Sequence, residues 1–186
     1  MRYGASFFLL IAPLVFITIY LAYAQGGEAS VFSTRFCTVF YEKGVNLETV
    51  NRRISFRFSD LYNPAGFDEE GSLPTEAVLS DKFDAIFSRV EEVLDMYPPR
   101  IHVAVNIYKT RDSLDNAYEE IFNEKNTASS FYIYKTNTIY TTERAISANI
   151  LAHEMAHCII DRYFVILPPR KIQEMLAAYA DVHLND

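Results

Sequence analysis

His153-Glu154-Met155-Ala156-His157 is the densest grouping of chemically capable side chains in this 186-residue chain. On an α-helix, positions i and i+4 share a face, so the two imidazoles can reach a single metal ion. Glu154 sits beside the first histidine, where its carboxylate can reach a water on that ion. The pattern is HExxH, and the chemistry it suits is metal-assisted hydrolysis. A tetrahedral catalytic zinc takes three protein ligands and keeps a fourth position open, so a third ligand must come from elsewhere in the chain.

Glu174 is the natural third ligand. It lies in the run Leu167-Pro168-Pro169-Arg170-Lys171-Ile172-Gln173-Glu174-Met175-Leu176-Ala177-Ala178-Tyr179. Together with the HExxH segment, this run resembles the second zinc helix of the gluzincin metallopeptidases, which reads as a proline, a basic or aromatic stretch, then Glu-Gly-Leu-Ala-x-Tyr. Met175 stands where that family has glycine. The resemblance implies a zinc ion held by His153, His157 and Glu174, and a compact zincin-like core. Competing ligands fare worse on spacing. Asp161 lies eight residues beyond His153, roughly 12 Å along a helix axis, too far for one ion to collect it with both histidines. His183 is nine residues beyond Glu174, about 900° of helical rotation, and so on the opposite face. A metzincin would need glycine and histidine where this chain has Ile160 and Tyr163.

Zinc in such a site lowers the pKa of a bound water to about 7 and polarises a carbonyl. Glu154 is then the general base that takes the proton and passes it to the leaving amine. The tetrahedral intermediate needs a further donor. Larger gluzincins supply it from a domain beyond the zinc helices. This chain ends at Asp186, so the donor is expected from within, with Tyr132, Tyr134, Tyr140 and Tyr179 as candidates. Asp181, seven residues after Glu174, falls on the same helical face and could orient a ligand histidine.

The elements needed to position these groups can be read from periodicity. Phe36 to Glu42 reads as a strand, and Asn46 as the cap of a short helix bearing Leu47, Val50 and Ile54. Ser55 to Ser59 alternates like a strand, and 60–74 is a loop rich in Pro, Gly and acids. Thr75 to Met96 is a long amphipathic helix stopped by Tyr97-Pro98-Pro99. Ile101 to Tyr108 alternates as a central strand, and a helix follows from Arg111 to about Glu124. Phe131 to Tyr134 and Thr138 to Thr142 flank Lys135-Thr136-Asn137, a hairpin whose exposed edge could receive an extended peptide. The motif helix is expected from Arg144 to Tyr163, and Pro168-Pro169 opens the last helix. The fold class is α+β: a small mixed sheet with an edge hairpin and two zinc-binding helices.

The first two dozen residues differ from the rest. Arg2 precedes an almost wholly apolar run from Phe7 to Leu21, and Ala22-Tyr23-Ala24 offers small residues where a signal peptidase would cut. Residues 1–24 are expected to be a secretory signal peptide or, if uncleaved, a membrane anchor, since the run is long enough to cross a bilayer. Either way residues 25–186 form one exported domain, periplasmic, secreted or anchored facing outward. Its membrane contact would be through residues 1–24 alone. The net charge of −7 without a basic cluster argues against a nucleic-acid partner. Export permits a disulfide, and Cys37 and Cys158 are the candidate pair.

Two functions follow, in different classes. The first is a zinc-dependent endopeptidase acting on a peptide or protein substrate. The alternative is a catalytically weak or inactive metal-binding domain that acts as an interaction module in the cell envelope. Glu154 separates them, because a domain that only holds metal has no chemical use for it.

Overall fold

The computed structural model describes residues 29–55 and 75–186. The expected signal segment, the expected strand at Ser55 to Ser59 (beyond Ser55 itself) and the acidic loop therefore lie outside the described residues. Among the described residues, no helix is long and apolar enough to cross a membrane.

The chain is a mixed α+β domain. Five strands, β1 (Ala29–Ser33), β2 (Cys37–Glu42), β3 (Val103–Tyr108), β4 (Phe131–Ile133) and β5 (Thr138–Thr142), form one sheet in the order β1-β2-β3-β5-β4. The strands β2, β3 and β5 run parallel; β1 and β4 are antiparallel edges. Among the described residues five α-helices accompany them: α1 (Leu47–Arg53), α2 (Thr75–Leu94), α3 (Arg111–Phe122), α4 (Ala148–Tyr163) and α5 (Arg170–Val182). The strand β3 is central as its pattern implies, but five of its six residues are buried, because helices cover both faces.

On one face, Val39, Val103, Val105, Ile107 and Ile139 meet Leu79, Phe83, Ile86 and Phe87 of α2 and Leu151, Met155 and Ile159 of α4 in the main core. On the other, Leu114 of α3 meets Ile133 and Tyr140 in a smaller cluster. The helix α2 is tied to the β1–β2 turn through Asp84, whose carboxylate accepts from Thr34 Oγ1 at 2.6 Å and from the backbone N–H of Arg35 and Phe36. It ends as expected before the prolines, with Asp95 in the left-handed region at φ +50°. Asn46 caps α1 by accepting from Thr49 N–H.

One strand is unforeseen in the sequence, and one expectation needs correction. The strand β1 was not legible: four of its five residues are exposed, so it shows little alternation to read. The motif helix begins at Ala148, four residues later than expected. Ser147 is its N-cap and accepts from Ile150 N–H at 3.2 Å, while Ala145 and Ile146 N–H turn back to Thr142.

Glu143, in that turn, holds the sheet to α1. Its Oε2 accepts from Asn46 N–H at 2.8 Å and from Lys109 Nζ at 2.7 Å. Burial alone pushes its pKa up, but the bonds from Lys109 and Asn46 outweigh burial and hold it below the ordinary 4.5. Glu143→Gln is expected to cost about 1.5–3 kcal/mol at pH 7, the usual range for hydrogen bonds to a charged group. Because the folded pKa is depressed, this contribution is present above the ordinary carboxylate pKa and lost as pH falls below it. Urea titrations at pH 7 and pH 3 check this: the gap between wild type and variant should shrink at pH 3.

Candidate metal centre

The helix α4 presents His153 and His157 one turn apart, with ring centroids 5.0 Å apart and the rings nearly perpendicular. The helix α5 packs against α4 and brings Glu174 opposite them. Glu174 Oε2 lies 3.6 Å from His153 Nε2 and 3.5 Å from His157 Nε2. Two ligands about 2.1 Å from a tetrahedral zinc stand about 3.4 Å apart, so this spacing fits such an ion. One ligand atom from each of the three residues falls within 4.8 Å of the others. The other carboxylate oxygen, Oε1, faces Arg170 Nη2 at 3.2 Å, which leaves Oε2 to the histidines. His157 has its pKa lowered, first by burial and against the pull of Glu174, so it favours the neutral form that a metal ligand requires.

These groups line a cleft of about 310 Å³, bounded by Ser130, Phe131, Tyr132 and Tyr134 from the hairpin side, by Leu167 from the α4–α5 connection and by Arg170 and Gln173 from α5. Glu154 is buried at 7% exposure yet lines the same cleft. Burial raises its pKa to about 7; the Ser130 side chain and Tyr132 N–H pull it down, Glu174 pushes it up, and Arg170 pulls it down. A carboxyl poised near neutrality can both take and return a proton.

The four tyrosine candidates separate. Tyr140 points to the far face of the sheet, stacked on Phe131 at 5.0 Å within the smaller cluster, because β5 alternates and Ile139 takes the side facing α4. Tyr179 lies outside the cleft and packs on His183 at 4.2 Å; five residues from Glu174 is about 500° of helix, away from the metal face. Tyr132 lines the cleft, but its hydroxyl is within bonding distance of Asn137 Oδ1 at 2.9 Å and Asp161 Oδ2 at 3.1 Å. Tyr134 lines the cleft and is 59% exposed, which leaves it as the tyrosine best placed to meet a ligand.

Asp181 does not orient a histidine. Its Oδ1 accepts from Asn149 Nδ2 at 2.7 Å, tying the start of α4 to the end of α5. Cys37 and Cys158 are both buried free thiols rather than a bridge. Cys158 donates to Asn137 Oδ1 at 3.2 Å on the sheet side of α4, as its position next to His157 implies. Asp161 is not among the residues whose ligand atoms converge, and His183 pairs with Asp186, so neither competes with Glu174. Ser130, the Tyr132 N–H and Arg170 were missed in the sequence. Arg170 carried a signal, since it lies one turn before Glu174; Ser130 carried none, being 24 residues from Glu154.

Comparison with known proteins finds no match: no family model, no curated sequence and no solved structure aligns with this chain.

Proposed function

We propose that this domain is a zinc-dependent peptidase of the gluzincin type, acting as an endopeptidase outside the cytoplasm. The observation that carries the reading is the convergence of both histidine Nε2 atoms on a single oxygen of Glu174, with the buried Glu154 carboxylate in the same cleft. His153, His157 and Glu174 would hold the ion. When bound, zinc supplies Lewis acidity and a water whose pKa falls to about 7. Glu154 takes a proton from the attacking water and returns it to the leaving amine. The Tyr132 N–H favours the charged form of that carboxylate between the two transfers. Tyr134, on the hairpin side of the cleft and 59% exposed, is the tyrosine that a bound peptide would meet. The short edge strand β4 borders the cleft, and an extended peptide could pair with it.

Glu154 is also what favours this reading over a metal-holding interaction module, because a carboxyl with a near-neutral pKa beside the ligand set has no use in simple binding. The test is hydrolysis of a proteome-derived peptide mixture by the purified protein, with metal content measured in the same sample. Cleavage that stops on chelation and returns with stoichiometric zinc is expected. Stoichiometric zinc without any cleavage would favour the interaction module.

A further inference from the structure

We propose that Arg170 determines the specificity of this cleft by taking a carboxylate of the substrate, supplied either by an acidic side chain or by a free C-terminus near the cut bond. The inference rests on the peptidase reading and names the substrate class for the same site.

Among the described residues lining the cleft, Arg170 is the one permanently charged cation; the neutral walls are Ala128, Phe131, Tyr134 and Leu167. Of the acids there, Glu174 Oε2 faces both histidines and Asp161 Oδ2 accepts from Tyr132, while Asp161 Oδ1 is buried without a partner. Arg170 meets Glu174 Oε1 at 3.2 Å, but its side chain is 89% exposed. An exposed pair one helical turn apart contributes little and does not hold the guanidinium to one partner. A guanidinium carries five N–H donors in a planar fork that matches a carboxylate in bidentate fashion. One contact to Oε1 leaves the rest of that fork for an incoming group.

Exposure also decides between two roles. A donor to the tetrahedral intermediate works when fixed and shielded from water. A side chain this exposed on the rim is neither. A rim cation instead suits a charged group that arrives from solvent, where complementarity selects one partner over another. With no second lysine or arginine among the described cleft residues, Arg170 is the side chain that adds a sign preference to that of a bound metal ion.

The test uses zinc-loaded full-length protein and paired peptides of one sequence: Glu against Gln at each position within two residues of the cut bond, and free acid against amide at the C-terminus. At one of these places kcat/KM for the carboxylate form is expected to exceed that for the amide roughly 2- to 5-fold, the range an exposed ion pair supplies. The pair that shows the preference tells side chain from chain end. The acid and amide forms of the cleavage product, tested as competitive ligands, should show the same ordering in binding. In Arg170→Gln both ratios should fall to about 1, and Arg170→Glu should come to favour a Lys-bearing peptide. A zinc-loaded wild type that treats every pair alike overturns the proposal and leaves the peptidase reading standing. An Arg170→Gln variant that keeps the ratios but binds zinc more weakly also overturns it, making Arg170 a positioning residue for Glu174. A wild type that binds no zinc and cuts no peptide removes the peptidase reading, and this proposal with it.

Discussion

Glu154→Gln is expected to bind zinc as the wild type does and to hydrolyse peptides about 10²–10⁴-fold more slowly, the range that positioned acid–base groups supply. Glu154 is not one of the three residues whose ligand atoms converge, so zinc content should hold. Glutamine matches glutamate in volume, and at 7% exposure a close match matters for the packing between α4 and the hairpin. Its amide oxygen can still accept from the Tyr132 N–H. It has no basic oxygen to take a proton from water, and that loss is the whole point of the substitution. The experiment is a single-turnover comparison at equal zinc content. Unchanged turnover would remove Glu154 from the mechanism, and a parallel fall in zinc would mean that it acts on the site's structure instead.

The HExxH spacing was the most legible feature of the chain, because an i, i+4 pair on a helix constrains geometry within a single element. His153 and His157 could be placed from two numbers. Glu174 needed more, since its distance to the histidines depends on how α5 packs on α4, and it was found through the resemblance of its surroundings. The fold class, the central β3 and the hairpin also followed from local periodicity. What escaped was set by tertiary pairing. β1 shows little alternation, and it exists because β2 offers it a full ladder from Ala29↔Glu42 to Ser33↔Thr38. Tyr140 was misjudged because the pleat of β5, and therefore its facing side, is fixed by where α4 lies. Asp181 had the right helical phase for a role beside the metal, but Asn149, at the start of α4, sits within 2.7 Å and takes its carboxylate. Cys37 and Cys158 illustrate the same limit: both lie in the main core, but as free thiols, with Cys158 donating to Asn137 Oδ1.

His157→Ala is expected to lower zinc affinity by about 100-fold or more. Zinc binding in small four-ligand sites amounts to about 10–16 kcal/mol, so one ligand accounts for about 3 kcal/mol, equivalent to about two decades in Kd. His157 is the better covered of the two histidines, with its side chain 15% exposed against 29% for His153, and its Nε2 lies nearest Glu174 Oε2. Its loss leaves His153 and Glu174 without a third partner, and it does not touch the Tyr132–Asp161 or Asn149–Asp181 bonds that hold the surrounding helices. The variant should therefore fold, and the defect should appear as lost linkage between metal and stability. At a free zinc level of about 100 times the wild-type Kd, binding stabilises the wild type by about 2.7 kcal/mol; a variant with a 100-fold weaker site gains only about 0.4 kcal/mol at the same level. Denaturant titrations with and without zinc read that difference directly, and elemental analysis of the purified proteins reads occupancy. Asp181→Asn is the control, expected to keep the wild-type zinc response because its carboxylate faces Asn149 rather than a ligand. A His157→Ala protein that takes up zinc and gains stability as the wild type does would place the metal elsewhere, and the peptidase assignment would fall with the site.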